Sequence, residues 1–279
     1  MPEGDTLLRT ARTLDRWLAG RTITAATSRV EGVASEKLVG RRIESVEANG
    51  KHCLMKLDSG HVLHTHMRMT GSWHVYPAGH PWRRPERQAR LTLTCGDRVA
   101  VCFNAPVVEL LRPRAIALHP ALAGLGPDVL VEPLDLDEVR RRARSRPPAT
   151  PVGELLLDQR VVAGIGNIWR CESLFAEGHN PWTPVSALTD AQLDALVATA
   201  AMLMGASVSS RTGVPTGRTG VPTGRRVYRR NGQPCRTCGT AVLSRRQGEQ
   251  ARTAYWCPTC QPASAPAATT RPTAPPGSG

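Results

Sequence analysis

Two Cys-x-x-Cys pairs constrain the C-terminal part of this chain more than any other feature. Cys235 and Cys238 form the first pair, Cys257 and Cys260 form the second, and 18 residues separate them. Each pair supplies two thiolates from one turn, and two such turns can close a tetrahedron around Zn²⁺. Two disulfides are the alternative, but cytosolic thiols stay reduced. The spacing therefore predicts a small zinc-finger hairpin that holds one structural zinc ion.

The charge of the chain points to a polyanionic partner. The formal net charge is +13 over 279 residues, with a pI of about 10.3. Such an excess favours phosphate-rich partners, because each phosphate contact releases condensed counterions. A disordered basic tail cannot account for the charge, since Arg271 is the only charged residue from Gln261 to Gly279. Arginine supplies most of the charge; this suits phosphate, although a GC-rich genome produces the same bias.

Location and assembly follow from what the sequence lacks. It has no run of about 18 apolar residues and no basic-then-apolar leader, so we expect a cytoplasmic protein with no membrane contact. If the polyanionic partner is chromosomal DNA, the bound protein would associate with the nucleoid. Nothing in the sequence demands an oligomer, and we expect a monomer.

Hydrophobic periodicity predicts a β-rich first part behind one helix. Leu7, Ala11, Leu14 and Leu18 share a helical face, and Gly20 stands where that helix would end. The pattern also predicts two β-hairpins, one formed by residues 53–57 and 62–64 and the other by residues 91–95 and 99–103.

From Asp135 onward the period becomes helical. We predict a helix opened by an Asp135–Glu138 capping box, a second over 152–159, a third from Asn167 and a fourth capped by Thr189. A repeated heptad occupies 211–224, and a Pro/Ala/Thr-rich stretch follows residue 261. The predicted boundaries are 1–120 for the β-rich catalytic domain, 121–225 for the helical domain with its repeat loop, 226–261 for the zinc finger and 262–279 for a disordered tail.

The first residues offer reactive groups. Removal of Met1 would leave Pro2 as the N-terminal residue, and an α-amino group titrates near pH ~8, so part of it is nucleophilic. A secondary amine that adds to a sugar aldehyde carbon gives a cationic iminium. Glu3 places a carboxyl group beside it that can move a proton. The alternative is that Pro2 is incidental and Glu3 is a helix-start charge.

Two further segments can contact phosphate. Gly164 and Gly166 precede Asn167, the expected cap of a helix, and this turn can bring backbone N–H groups to an anion; an ordinary helix–helix turn is the alternative. His64 and His66 alternate on one strand face without a further clustered ligand, so we favour polar packing or phosphate contact over metal binding. Met69, beside a tight turn, can be a wedge in a duplex or a core residue.

Taken together, these motifs resemble those of the formamidopyrimidine-DNA glycosylase/endonuclease VIII family over about residues 2–261. The resemblance rests on the opening Met-Pro-Glu-Gly, Gly-Lys-His at 50–52, the segment at 66–73, the Leu-Asp-Gln…Gly-Ile-Gly-Asn loop and the zinc finger that ends at Gln261. Gly4 in place of leucine is similar to the endonuclease VIII branch. The implied fold is α+β and multidomain: an N-terminal β-sandwich with flanking helices, a helical domain with a helix–two-turn–helix, and a zinc-finger β-hairpin.

The resemblance also implies an activity and residue roles. The chain would be a base-excision glycosylase with β,δ-eliminating lyase activity on damaged double-stranded and abasic-site DNA, directed at oxidised pyrimidines. Pro2 matches the family nucleophile and Glu3 the proton-transfer residue. Lys51 matches the lysine that contacts phosphate and aids elimination. Asn167 and Arg252 match the phosphate-gripping pair.

The sequence departs from the family in ways that leave the damaged base open. Asp5-Thr6 stands where many members have Pro-Glu, no Arg-Phe-Gly wedge follows Phe103, and the heptad repeat falls where the purine-directed branch keeps a loop. A relative directed at oxidised purines is therefore one alternative. A non-catalytic zinc-finger nucleic-acid-binding protein is the other, although it would need no free terminal proline.

Overall fold

Two antiparallel sheets and a long helix form the first part of the computed structural model, which describes residues 2–210 and 224–263. One sheet has the strand order β1-β6-β7-β5 and the other β2-β3-β4-β8. The elements are α1 (Gly4–Leu18), β1 (Ala25–Ser28), β2 (Ile43–Asn49), β3 (His52–Leu57), β4 (Val62–His66), β5 (Ser72–Pro77), β6 (Ala89–Cys95), β7 (Arg98–Phe103) and β8 (Val107–Leu111). The predicted α+β fold with an N-terminal β-sandwich is confirmed.

Alternating burial explains why these segments form a sandwich. Every second residue of β6 is buried, so one face of the strand enters the core and the other faces outward. The apolar stripe of α1 packs on the same core, and the helix ends at Leu18 before Gly20, whose φ is +78°. Both predicted hairpins pair as expected.

Five helices follow, and their caps differ partly from the sequence expectation. They are α2 (Pro113–Ile116), α3 (Leu136–Arg144), α4 (Val152–Leu155), α5 (Asn167–Ala176) and α6 (Asp190–Ser209). Thr189 and Gln192 form a reciprocal capping box on α6. Asp135 caps α3, since its side chain accepts a hydrogen bond from the backbone amide of Glu138. The predicted reciprocal bond, from the backbone amide of Asp135 to the carboxylate of Glu138, does not form, because that carboxylate binds Arg141 and Arg142.

Two helix predictions around the central turn are wrong. The predicted helix over 152–159 ends at Leu155, since Asp158 bonds the amide of Arg160 at 3.0 Å and turns the chain. The helix α5 begins at Asn167 as predicted, but Asn167 does not cap it, because Gly166 is the capping residue. The side-chain Nδ2 of Asn167 instead donates to the backbone carbonyl of Thr253 at 2.9 Å.

Helix α6 is long and apolar enough to span a membrane, with a mean hydropathy of 1.4 in its best window. One face of the helix, with Leu193, Leu196, Ala200 and Met204, is buried in the core of the helical domain together with α3 and α5, whereas Met202 on another face is exposed. These contacts explain its composition as that of a core helix.

The zinc-finger region is a two-stranded hairpin, β9 (Leu243–Gln247) with β10 (Arg252–Trp256). The Sγ atoms of the four cysteines at 235, 238, 257 and 260 all lie within 4.8 Å of one another. That cluster is compatible with a structural zinc. The heptad repeat and the tail fall almost wholly outside the described residues, as does Met1, and the boundaries at 120, 225 and 261 stay predictions.

Candidate active site

Glu3 is held against the N-terminus of a helix from another part of the chain. Its side chain is 1% exposed, and its two oxygens accept hydrogen bonds from the backbone amides of Ile168 (2.8 Å) and Trp169 (3.4 Å). These are free amides of the first turn of α5, where the helix dipole also favours a negative charge. The first-turn amides of α5 therefore bind a carboxylate of the same chain, and phosphate contact at this turn stays a prediction.

Two glycines allow this close approach. A Cβ on Gly166 would lie 2.2 Å from Cδ of Glu3, so any side chain there would displace the carboxylate. A Cβ on Gly4 would lie 2.9 Å from Cα of Gly164, and the amide of Gly4 bonds the carbonyl of Gly164 at 3.0 Å. Gly4 is therefore explained by packing of the N-terminus on the helix–two-turn–helix.

Lys51 reaches the same place from the turn between β2 and β3. Gly50 occupies the left-handed region, with φ +58°, and its amide bonds Oδ2 of Asp128 at 2.7 Å. Asp128 also accepts from the amide of Leu130 at 2.9 Å. The turn that presents Lys51 is thus anchored to the start of the helical domain.

Burial tunes the two ionisable side chains in opposite directions. Burial lowers the pKa of the Lys51 ammonium to about 8; the charge of Glu3 opposes this shift and Arg252 adds to it. Burial also raises the pKa of Glu3, against the hydrogen bond from Ile168 and the charge of Lys51. Both residues can therefore exchange protons closer to neutral pH than they would in water.

All six residues that the sequence singled out for catalysis or DNA contact line one cleft of about 510 Å³: Pro2, Glu3, Lys51, Met69, Asn167 and Arg252. Pro2 is half-buried at its edge. The N-terminal residues and Lys51 come from the β-sandwich side, whereas Asn167 and Arg252 come from α5 and β10. The cleft therefore lies where the sandwich, the helical part and the hairpin meet.

A buried arginine that the sequence reading missed fixes the hairpin side of the cleft. Arg170 is fully buried, and its guanidinium donates to Oε1 of Gln247 (3.1 Å), to Oδ1 of Asn167 and to the carbonyl of Arg252 (3.4 Å). These bonds position Asn167 and Arg252 relative to each other. Its signal in the sequence is its position three residues after Asn167, which places both side chains on one face of α5.

The loop after β4 carries Met69 to the cleft. Met69 is 58% exposed, and its sulfur lies 4.0 Å from Nη1 of Arg252. Arg68, which precedes it, has φ +43°, an uncommon conformation for a non-glycine residue. Phe103 is fully buried against Trp82 and His74, so it is not available as a wedge. The exposure of Met69 excludes the alternative of a core residue, and its role as a wedge stays a prediction.

The hairpin arginine Arg245 and the histidines of β4 have contacts that the sequence does not reveal. The guanidinium carbon of Arg245 lies 5.1 Å from the ring centre of Trp182. The expectation that His64 has no further clustered ligand is wrong, because Glu109 and His119 surround it. His66 borders the cleft, and burial lowers its pKa to about 4, which makes it a neutral imidazole near neutral pH.

Comparison with known families settles what this arrangement belongs to. The model of the formamidopyrimidine-DNA glycosylase N-terminal domain matches residues 1–106, and that of the formamidopyrimidine-DNA glycosylase H2TH domain matches residues 125–217. The chain belongs to the formamidopyrimidine-DNA glycosylase family. Its relatives place it with the endonuclease VIII-like members.

Two curated relatives of the family cover almost the whole chain. "Probable endonuclease 8 2" of Streptomyces coelicolor is 39% identical over 269 residues, which cover 95% of this chain and 96% of the relative. "DNA-(apurinic or apyrimidinic site) lyase Nei2" of Mycolicibacterium smegmatis is 36% identical over 264 residues, which cover 95% of this chain and 100% of the relative.

Solved structures share the fold. The family glycosylase of Lactococcus lactis bound to abasic-site DNA has a TM-score of 0.79 at 19% identity, covering 94% of this chain and 100% of that one. MutM (Fpg) from Thermus thermophilus has a TM-score of 0.76 at 29% identity, covering 93% and 98%. The arrangement of sandwich, helices and hairpin is therefore that of the family.

Proposed function

We propose that the chain is a bifunctional DNA glycosylase and abasic-site lyase in base-excision repair, with oxidised pyrimidines as its substrates. The observation that carries the proposal is the meeting of Pro2, Glu3 and Lys51 in one cleft whose opposite wall carries Arg252. Relatives named endonuclease 8 and abasic-site lyase support it. The net charge of +13 suits DNA as the partner. We propose that the protein acts as a monomer in the cytoplasm, where it binds DNA at the nucleoid.

The chemistry follows from the groups in the cleft. A damaged nucleotide leaves the stack so that its C1′ becomes accessible. The Pro2 nitrogen bonds to C1′ as the bond from C1′ to the base breaks, and its N–H proton passes to the departing base. The protonated Glu3, whose raised pKa favours that form, then gives a proton to the ring oxygen as the bond between C1′ and that oxygen opens. The resulting iminium acidifies the C2′ proton, so β-elimination breaks the 3′ C–O bond and δ-elimination breaks the 5′ C–O bond.

Arg252 is proposed to hold a phosphate, together with Asn167. Arg252→Ala should weaken binding to all DNA sequences alike and reduce the slope of log K against log salt by about one unit. Fluorescence anisotropy at several salt concentrations measures the slope. Arg41, which is exposed and does not line the cleft, provides the matched control Arg41→Ala. If the slope of log K against log salt in Arg252→Ala equals that of the unaltered protein, Arg252 does not contact phosphate.

The alkaline limit of catalysis is proposed to report Lys51. Its pKa of about 8 means that the cation persists below that pH and is lost above it, so kcat/KM of the lyase reaction should fall as pH rises through about 8. Lys51→Arg keeps its charge at all these pH values and should move the fall upward.

The control for this profile is Lys56→Arg, since Lys56 is exposed and pairs with Glu47 at 2.8 Å away from the cleft. In Lys56→Arg, kcat/KM of the lyase reaction should fall at the same pH as in the unaltered protein. If Lys51→Arg leaves it unchanged as well, another group sets the limit.

We also propose one structural zinc ion at the four clustered cysteines. Four thiolates are the donor set of closed structural sites, and the ion would hold the hairpin that carries Arg252. Elemental analysis should find one tightly held zinc that Cys238→Ser loses. Retention of that ion in Cys238→Ser would contradict the assignment.

A further inference from the structure

A second cluster of possible metal ligands lies on the sandwich, apart from the catalytic cleft and from the four cysteines. His64 on β4 and Glu109 on β8 are direct partners in the sheet register. His119 comes from the segment that follows α2 and leads to the helical domain. We propose that His64, Glu109 and His119 bind a divalent transition-metal ion, with Zn²⁺ as the ion best matched to two imidazoles and one carboxylate.

The three ligand atoms converge on one point. Nδ1 of His64 lies 2.8 Å and Nε2 of His119 lies 3.0 Å from the same atom, Oε2 of Glu109. Zinc bonds to N and O are about 2.0–2.2 Å long, so tetrahedral donor atoms are about 3.3 Å apart. The two contacts to Glu109 would therefore lengthen by only a few tenths of an ångström, and the ligand atoms of all three residues lie within 4.8 Å of one another. The side chain of Glu109, which is 42% exposed, can make that movement.

The surroundings leave room for a further ligand. The three residues border a cavity of about 400 Å³ that adjoins the cleft lined by Pro2 and Glu3, and His66, Arg68 and Gln159 line both. Two imidazoles and a carboxylate leave the fourth tetrahedral position to a water molecule from this cavity. The site would thus be open, unlike the closed four-cysteine cluster.

His52 is placed to select the imidazole form that binds metal. Its Nδ1 lies 2.8 Å from Nε2 of His64. When Nε2 of His64 donates a proton to His52, Nδ1 of His64 directs its lone pair toward Glu109. Two electron-rich atoms then face each other, and a cation between them relieves their repulsion. With the opposite proton arrangement, Nδ1 of His64 donates to Glu109 and the ion is not needed.

An ion here would join three segments that the sequence keeps apart. Strands β4 and β8 belong to one sheet, whereas His119 lies in the connection to the helical part. Binding would fix this connection to the sandwich, so added metal should raise the thermal midpoint of the protein. This inference does not depend on the proposed lyase activity.

The test is a titration of the full, zinc-loaded chain with Co²⁺. We expect one additional equivalent to bind and to give weak visible d–d absorption without the thiolate-to-cobalt charge-transfer band of a cysteine site. Added Zn²⁺ should displace it. Glu109→Gln and His119→Gln should weaken this binding at least ~10-fold, and His52→Ala by about 10–100-fold as a residue that orients a ligand.

His61→Gln is the matched control, because His61 contacts Ser59 at the start of the same strand region and is not part of the cluster. It should leave the cobalt affinity unchanged. Anomalous scattering from cobalt-soaked crystals gives a measurement that needs no variant, with a peak expected between the three ligand atoms. No extra equivalent, a charge-transfer band, unchanged affinity in both ligand variants or a peak elsewhere would each overturn the proposal.

Discussion

An N-terminal extension that is not removed should abolish the covalent complex between this protein and abasic-site DNA. Without the extension, borohydride is expected to reduce the iminium and leave protein and DNA joined through the Pro2 nitrogen. The lone pair of an acylated proline nitrogen is delocalised into the carbonyl group and cannot attack C1′, so the extended chain should give no trapped band on a denaturing gel. Lyase turnover should fall by at least ~10³-fold for the same reason.

The control for this experiment is the same extension placed after Gly279, which leaves Pro2 free. It should trap DNA as well as the unextended chain does. The trapped peptide also has to be identified by mass spectrometry, because Lys51 lines the same cleft and its pKa of about 8 makes it a competing amine. DNA attached to Lys51, or equal trapping by the N-terminally extended chain, would refute the assignment. The absence of any adduct with the processed chain would favour a non-catalytic DNA-binding protein.

The parts of the fold that could be predicted depend on local pattern. The stripe Leu7, Ala11, Leu14 and Leu18 defines α1 because its residues share one face, and the alternation in β6 defines a half-buried strand. The two Cys-x-x-Cys pairs define their own cluster, since the ligand spacing is set within each turn. These features need no knowledge of distant contacts.

The details of the candidate site depend on contacts between distant residues and could not be derived in this way. Asn167 has the sequence position of a cap, yet its amide bonds the carbonyl of Thr253, 86 residues away. The leucines at 155–157 continue a helical period, but the side chain of Asp158 turns the chain there. Glu109 and His119 look unrelated to His64 until β4 pairs with β8. For Asn167 and His64 a long-range partner decides the local geometry, whereas at Asp158 a contact with Arg160, two residues away, overrides the helical period.

For Glu3, the sequence could predict the chemical role but not the contacts that position the side chain. Its chemical type and its place beside Pro2 identified a proton-transfer candidate from the sequence alone. Its partners, the amides of Ile168 and Trp169, lie about 165 residues further along the chain. Those bonds hold the carboxyl group in place and oppose the rise in pKa that burial causes. The sequence could therefore predict the group, but not its orientation or its proton affinity.

Gly166→Ala should remove most catalytic activity while leaving the protein folded. The backbone of Gly166, with φ −117° and ψ −167°, is accessible to alanine, so the substitution adds no backbone strain. The new Cβ would lie 2.2 Å from Cδ and 2.6 Å from Oε1 of Glu3, which forces the carboxyl group off the amides of α5. Displacing a proton-transfer group costs about 10²–10⁴-fold in rate. Single-turnover excision and lyase assays measure this loss.

Gly205→Ala is the matched control, because a Cβ there meets nothing within 4 Å on helix α6. It should keep full activity and raise the free energy of unfolding by up to about 1 kcal/mol, since alanine favours helix. A double-mutant cycle then distinguishes an effect through Glu3 from a general disturbance of the structure. In a Glu3→Ala background there is no carboxyl group to displace, so Gly166→Ala should cost little further activity. A full additional loss in that background would mean that Gly166 acts through something other than the position of Glu3.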